Sequence, residues 1–450
     1  MEKKLFGTDG IRGKANTYPI TPEIALMLGK SLGKYFKADR EGVFRAVIGK
    51  DTRLSGYMLE SALESGLVSM GMDVYSVGPL PTPAIARLIK SFNANCGIMI
   101  TASHNPYEDN GLKIFGADGF KMPDSEELKI EDIMFSGDIN SEHVGTNLLG
   151  KAHRIEDAKG RYVEFAKSTI KDSSLKGLKV ILDCANGAAY SIAPWIFREL
   201  GAEVIKVGVD PDGFNINKNC GAMYPGNISN LIREHQADVG ICFDGDADRV
   251  ILLDSNGAVV NGDKILAMCA IYYKELGRLS NDTLVSTVMS NIGLRHAMVR
   301  HGIELITTQV GDRYVIEKMR EGNFNLGGEQ SGHIIFMDYV TTGDGIITAL
   351  HVLKMMIEQQ KPLAELANCM EEFPQKLVNI KVKEKIPIDK VPELAEEIKK
   401  CETELKENGR VLVRYSGTEN LIRIMIEAKT YKIADSWTKK IAAIAENKLN

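Results

Sequence analysis

The feature that most constrains the fold is a pattern met three times: an apolar run, a helical stretch, a glycine turn, then a second apolar run. The first copy opens at Val47-Ile48-Gly49-Lys50-Asp51 and closes at Gly71-Met72-Asp73-Val74-Tyr75-Ser76-Val77-Gly78. The second opens at Val180-Ile181-Leu182-Asp183 and closes at Gly201-Ala202-Glu203-Val204-Ile205-Lys206-Val207-Gly208. A looser third runs from Val285-Ser286-Thr287-Val288 to Gly302-Ile303-Glu304-Leu305 and ends at Val310-Gly311. Short apolar runs separated by helices build mostly parallel sheets covered by helices. Any βαβ unit has the same needs, so one match means little. Three copies in order favour duplicated α/β domains.

Further runs at 96–101, 238–243 and 249–254 read as buried strands. Stretches 59–70, 189–200, 265–275 and 345–358 read as helices. The tail differs: 376–383, 411–414 and 421–427 alternate like strands, and 391–400 and 433–445 like helices. Adjacent strands there predict a small α+β domain. The expected organisation is three similar α/β domains followed by a smaller α+β domain, at 1–150, 151–254, 255–373 and 374–450. A length of 450 residues suits this at about 150 per domain. A net charge of −5 argues against a basic nucleic-acid or anionic-membrane surface spread over the chain. The 44% hydrophobic content is enough for large cores, but no run is apolar enough to span a bilayer. The start, Met1 to Gly7, enters polar glycine-rich sequence and predicts no secretory leader. Seven scattered cysteines without a Cys-x-x-Cys pair read as free thiols in a reducing compartment, hence the cytoplasm.

Asp244-Gly245-Asp246-Ala247-Asp248-Arg249 is the most legible site. It follows the apolar run 239–243, so it should lie at a strand's carboxyl end, where α/β sheets place ligands. Carboxylates at i, i+2 and i+4 repel one another unless a cation sits between them. Hard oxygen ligands suit Mg²⁺, which also favours phosphate partners. An EF-hand loop would need Gly and Glu where Arg249 and Ser255 stand. The bland reading is a solvated acidic turn. Thr101-Ala102-Ser103-His104-Asn105-Pro106 follows another buried run. Ser103 on such a turn is either a covalent nucleophile or phosphoryl carrier, or part of a hydroxyl-capped turn. His104 beside it reads as an acid or base, or as a hydrogen-bonded turn residue.

Arg414-Tyr415-Ser416-Gly417-Thr418-Glu419-Asn420-Leu421-Ile422-Arg423 joins hydroxyls, a glycine turn and two arginines. Backbone N–H groups at such a turn form an anion nest, and guanidinium forks grip phosphate oxygens. Gly328-Glu329-Gln330-Ser331-Gly332-His333 is a polar glycine-rich loop. Glu329 and Ser331 can face the same way and hydrogen-bond sugar hydroxyls; alone, the loop is an ordinary turn. Arg12 in the segment 6–13 and Lys113 after Asn110-Gly111-Leu112 are structural or solvated by themselves. Near a phosphoserine either neutralises charge or moves protons. No Walker A loop exists, since Gly29-Lys30-Ser31 would need glycine where Ile24 stands.

Together these loops resemble the α-D-phosphohexomutases, from Phe6 to Arg423 and in the family's order, one loop per expected domain. The opening 6–13, the run 105–113 and the loop 328–333 are similar to the branch acting on glucosamine phosphates. The resemblance implies four domains around a central cleft, with Ser103 as phosphoserine, catalytic with Arg12, His104 and Lys113. It implies Mg²⁺ on Asp244, Asp246, Asp248 and the Ser103 phosphate. Substrate would be held by Glu329, Ser331, His333, Arg414, Ser416, Gly417, Thr418 and Arg423. His333 joins Arg12, His104 and Lys113 among the acid/base candidates. The implied reaction interconverts glucosamine 6- and 1-phosphates through a glucosamine or glucose 1,6-bisphosphate. The implied partner is a small phosphosugar, with a homodimer suggested and neither nucleic acid nor membrane. Tyr415 and Asn420 stand where many relatives carry proline, which changes loop stiffness while Arg414, Ser416, Gly417, Thr418 and Arg423 are kept. The rival readings are a phosphomannomutase/phosphoglucomutase and a phosphosugar-binding regulator without turnover.

Overall fold

The computed structural model describes residues 4–7, 9–37, 42–171, 173–416 and 420–449. The chain divides into two compact units, Met1–Met289 with Ile303–Asn368, and Ser290–Gly302 with Cys369–Asn450.

The larger unit holds three sheets, each with parallel strands at its centre. In spatial order the first contains Ile11–Lys14, Asp109–Gly116, Cys96–Ile100, Phe44–Lys50, Met72–Pro79 and Ala152–Arg154. The second contains Val259–Val260, Val250–Leu253, Val239–Phe243, Lys179–Asp183 and Glu203–Val207. The third contains Glu304–Thr308, Thr283–Thr287, Leu326–Gly328 and Ile334–Phe336. The three copies of the sequence pattern become three parallel ladders, with Val47 opposite Tyr75, Val180 opposite Val204 and Val285 opposite Ile306. A further parallel strand pairs on the other side each time, through Ile48 and Ile98, Val180 and Val239, and Val285 and Gly327. At the sheet edges the parallel strand Ala152–Arg154 carries the first sheet to 154, and the antiparallel strand Val259–Val260 carries the second to 260, past 150 and 254.

Every residue of Cys96–Ile100, Val239–Phe243 and Thr283–Thr287 is buried, as expected for central strands covered on both faces. Helices Pro22–Lys37 and Ser55–Ser69 pack backbone to backbone at Gly29 and Gly66. A Cβ on Gly29 would lie 2.5 Å from the Leu63 carbonyl oxygen, and one on Gly66 would lie 2.3 Å from that of Leu26.

The smaller unit has an antiparallel sheet ordered Gln375–Lys381, Leu421–Ala428, Gly409–Tyr415. Helices Pro392–Leu405 and Tyr431–Leu449 contribute Leu394, Trp437 and Ile441 to its core beside Ile422, Ile424 and Ile426. Beside 374–450 this compact unit includes 290–302 and 369–373. Buried Glu427 binds 291–292 to the sheet. It accepts hydrogen bonds from Ile292 N at 3.0 Å, Asn291 Nδ2 at 3.3 Å and Arg410 Nε at 2.7 Å. Asn291 also binds the main chain of Phe373 through both its amide nitrogen and its oxygen. All seven cysteines are free thiols. Among the described residues, no helix is long and apolar enough to cross a membrane.

Candidate active site

The Ser103 turn follows the central strand Cys96–Ile100, and the Asp244–Asp248 loop follows the central strand Val239–Phe243. Both lie at carboxyl ends of parallel strands, where the chain leaves the sheet and a ligand can approach. The two loops meet. Ser103 is buried, has a left-handed backbone (φ +52°), and donates its hydroxyl to Asp244 Oδ2 at 2.7 Å. Thr101 Oγ1 accepts from the Ser103 N–H at 2.9 Å.

Asp244, Asp246 and Asp248 are buried and offer carboxylate oxygens within 4.8 Å of one another. Thr82 Oγ1 donates to Asp246 Oδ2 at 2.5 Å, and Lys113 Nζ stands 3.0 Å from that oxygen and 3.3 Å from Asp248 Oδ2. Asp246 Oδ1 and Asp248 Oδ1 are buried without a hydrogen-bond partner. Buried carboxylate oxygens without donors are costly unless a cation takes them. The all-oxygen set fits a hard divalent ion such as Mg²⁺. Burial pushes Asp244 far above the usual carboxylate range, and its two acidic neighbours push it further. Burial also raises Asp246, but Lys113 and the hydrogen bonds from Thr82 and Lys113 outweigh it and hold this carboxyl low.

Lys113, expected to neutralise charge or move protons, is buried and ion-paired with Asp9, Asp246 and Asp248. Burial opposes its charge, yet Asp246, Asp9 and Asp248 overcome that and raise its pKa. Arg12 is ion-paired with Asp9. His104 Nδ1 lies 3.4 Å from Ser103 Oγ and 3.2 Å from Arg249 Nη1. Burial, then Arg249 and Arg12, bring the imidazole down to about 4, so it is neutral near pH 7. The guanidinium hydrogens then point at the Nδ1 lone pair, which puts the ring proton on Nε2.

The loop after Leu326–Gly328 brings Glu329, Ser331 and His333 together in the larger unit. Gly311 N donates to Glu329 Oε1 at 3.2 Å, and Ser331 Oγ to Glu329 Oε2 at 3.3 Å. The two polar side chains thus share a face, as their spacing predicted, and bind each other. Gly343 N donates to His333 Nε2 at 3.2 Å, so the ring proton is on Nδ1, a buried donor without a partner. In the smaller unit Arg414 and Arg423 are direct cross-strand partners. Opposed like charges are unfavourable without an anion. Burial, then Arg423, lower Arg414 from its usual value. Buried Ser416 donates its N–H to the Leu421 carbonyl at 2.8 Å. Gly417 and Thr418 lie outside the described residues.

Several site residues carried no motif. Asp9 joins Arg12, Lys113 and Lys121, and Lys121 reaches Asp312, whose carboxylate lies 3.7 Å from His333 Nε2. Asp51, Arg53, Thr82 and Asn217 surround the serine and aspartate loops. No local spacing marks their contacts with those loops, which for Arg53, Thr82 and Asn217 cross 50, 164 and 114 residues. Arg249 was visible only as a mismatch to a calcium loop.

Four family models, described as Phosphoglucomutase/phosphomannomutase, match in chain order. Alpha/beta/alpha domains I, II and III match residues 3–141, 160–257 and 261–373, and the C-terminal domain matches 377–444. A phosphoglucosamine mutase of Citrifermentans bemidjiense is 55% identical over 448 residues, covering 99% of this chain and 98% of the relative. One of Myxococcus xanthus is 51% identical over 441 residues, covering 98% and 96%. Among solved structures, a phosphoglucomutase/phosphomannomutase family protein of Burkholderia thailandensis shares the fold at a TM-score of 0.81 and 24% identity, covering 99% of this chain and 98% of that one. Aspergillus fumigatus N-acetylphosphoglucosamine mutase, solved with GlcNAc-6P and magnesium, superposes at a TM-score of 0.66 and 17% identity, covering 100% and 96%. Four domain matches in order, with relatives above half identity along the whole length, establish that this chain belongs to the phosphoglucomutase/phosphomannomutase family, in its phosphoglucosamine mutase branch.

Proposed function

We propose that the protein interconverts glucosamine 6-phosphate and glucosamine 1-phosphate through phosphoserine at position 103 and a sugar 1,6-bisphosphate. The carrying observation is the 2.7 Å hydrogen bond from Ser103 Oγ into the three-carboxylate cluster. The sugar assignment rests on the whole-length relatives named phosphoglucosamine mutase.

In the forward half-reaction the 1-hydroxyl of the 6-phosphate attacks the phosphoryl group on Ser103. The O1–P bond forms, the Oγ–P bond breaks, and the proton lost by the 1-hydroxyl is made up on the released Oγ, which returns as the serine hydroxyl. The bisphosphate turns end for end. Ser103 Oγ then takes the 6-phosphoryl group, which frees the 6-hydroxyl and leaves the 1-phosphate. Either end of the sugar must therefore bind alike. Glu329 and Ser331 would hold ring hydroxyls, with His333 Nδ1–H as a further donor. Arg414, Ser416 and Arg423, with Gly417 and Thr418, would take the phosphate that is not reacting. Asp244, Asp246 and Asp248 with the Ser103 oxygen would hold Mg²⁺, which when bound offsets phosphoryl charge and polarises the phosphorus centre. Lys113 and Arg12 act as fixed positive charges rather than bases. His104 is the basic nitrogen nearest Ser103 Oγ, with its lone pair shared by Arg249. A homodimer in the cytoplasm belongs to the same proposal. The free thiols support the compartment, and sedimentation would test the dimer.

The test is a mutase assay with Mg²⁺ and a trace of glucose 1,6-bisphosphate, offering glucosamine, glucose and mannose phosphates at equal concentration. Preference for glucosamine phosphate and loss of turnover in Ser103→Ala are expected. Preference for another hexose would overturn the substrate, and full activity of Ser103→Ala would overturn the phosphoserine.

A further inference from the structure

We infer that Arg53 and Asn217 are positioning residues that clamp the Ser103 turn for phosphoryl transfer, an inference that rests on the reaction proposed above. The carbonyls on either side of His104 are held by the same two donors. Arg53 Nη2 lies 3.2 Å from Ser103 O and 2.6 Å from Asn105 O. Asn217 Nδ2 lies 2.8 Å and 3.0 Å from the same two oxygens. Each NH₂ group carries two hydrogens and each carbonyl oxygen two lone pairs, so these four bonds use every one. The closed square fixes the turn in two directions at once. It holds Ser103 in a left-handed conformation that a residue with a Cβ seldom adopts.

The donors are themselves fixed. Arg53 is fully buried and ion-paired with Asp51, whose Oδ1 accepts from Arg53 N at 2.9 Å. Asn217 is 6% exposed, and its N–H donates to the Ala185 carbonyl at 2.9 Å. Gly245 closes the third side: a Cβ there would stand 2.5 Å from Ser103 O and 2.8 Å from Asn217 Nδ2. Arg53 follows a strand of the first sheet, whereas Asn217 and Gly245 belong to the segment that builds the second. The aim of the serine hydroxyl at Asp244 is therefore set jointly by both sheets.

Transfer to and from Oγ needs that atom in line with the phosphorus and the sugar oxygen, and an error of about 1 Å costs on the order of 100-fold. Asn217 itself has φ +58°, so Asn217→Gly keeps the backbone conformation while removing the side chain that carries the amide. Asn217→Asp keeps the shape but turns an oxygen towards two carbonyl oxygens. Arg53→Ala would leave Asp51 buried and unpaired, so the Asn217 variants carry the test.

The full chain, wild type and both variants, would be assayed with saturating Mg²⁺ and the hexose phosphate that wild type prefers. Phosphorylation of Ser103 by glucose 1,6-bisphosphate would be followed by intact mass, and folding by thermal melts. For Asn217→Gly, kcat and the phosphorylation rate should fall together by about 10- to 100-fold, with KM held and a cooperative melt showing the chain folded at the assay temperature. Asn217→Asp should lose at least as much. Wild-type phosphorylation rates in folded variants, or a loss confined to KM, would overturn the clamp. A Ser103→Ala control with full activity would instead overturn the reading beneath it.

Discussion

Asp344 gives the sharpest pH prediction. It caps the helix Gly345–Gln359 by accepting from Ile347 N at 2.9 Å, and it accepts from Tyr162 Oη at 2.7 Å. It has no solvent exposure, and burial lifts its pKa to about 6 against these hydrogen bonds. The folded state therefore binds this proton more tightly than the unfolded chain, whose carboxyl titrates near 3.8. Stability from this group is fully present below the unfolded value and lost as pH rises through the folded one. The shift of about two units corresponds to about 3 kcal/mol, of which about 2 disappears between pH 4.5 and pH 7. Asn is nearly isosteric, keeps an oxygen for Ile347 N, and removes the titration. Urea unfolding of wild type and Asp344→Asn across this range, in EDTA so that no bound cation contributes to the field, reads the difference directly. The variant should gain about 2 kcal/mol on wild type between pH 4.5 and 7. Parallel curves would refute the argument, because other carboxyls titrate alike in both proteins.

Glu427→Ala strips the acceptor from Ile292 N and the partner from Arg410, and should cost the smaller unit about 3–5 kcal/mol in urea unfolding. Thr82→Val removes the hydroxyl that donates to Asp246 at 2.5 Å, and should lower metal-free stability by about 1.5–3 kcal/mol. Gly29→Ala forces a methyl against the Leu63 carbonyl, and should cost about 1–3 kcal/mol in thermal or urea melts.

What the sequence makes legible here follows from how local each signal is. The buried runs at 96–100, 180–183 and 239–243 declare themselves, because a strand covered on both faces has no polar alternation to confuse it. The aspartate and serine loops are legible for the same reason: each sits directly after such a run. Asn217 lies 114 residues from the Ser103 carbonyl it holds, in a loop whose composition is that of any turn. Asp9 reads as part of a glycine-rich opening until Lys113 and Lys121 are folded against it. Residues 291–292 meet the smaller unit's sheet through the buried carboxylate of Glu427, which in sequence is only the last charged residue of a strand. Periodicity finds layers; it does not find the long-range polar contacts that join them.

Those contacts determine the charge balance at Ser103, and from it a last prediction follows. Around the serine lie the carboxylates of Asp244, Asp246 and Asp248, answered by Lys113 and Arg249. A phosphoryl group on Oγ would add about −1.5 to −2 charges at pH 7 within hydrogen-bonding distance of Asp244. Two unit charges 4 Å apart at a protein surface interact by about 4 kcal/mol, so phosphorylation without a compensating cation is strongly opposed. A divalent ion that meets both the carboxylates and the phosphoryl oxygens must therefore bind more tightly after Ser103 is phosphorylated. By reciprocity it favours the phosphorylated form by the same factor. Coupling of the usual size predicts Mg²⁺ affinity about 5- to 150-fold higher for the phosphorylated protein. Titration calorimetry on samples whose phosphoserine content is fixed by intact mass measures that ratio. Equal affinities would mean that the ion does not contact the phosphoryl group, and that the protein's own cations carry its charge.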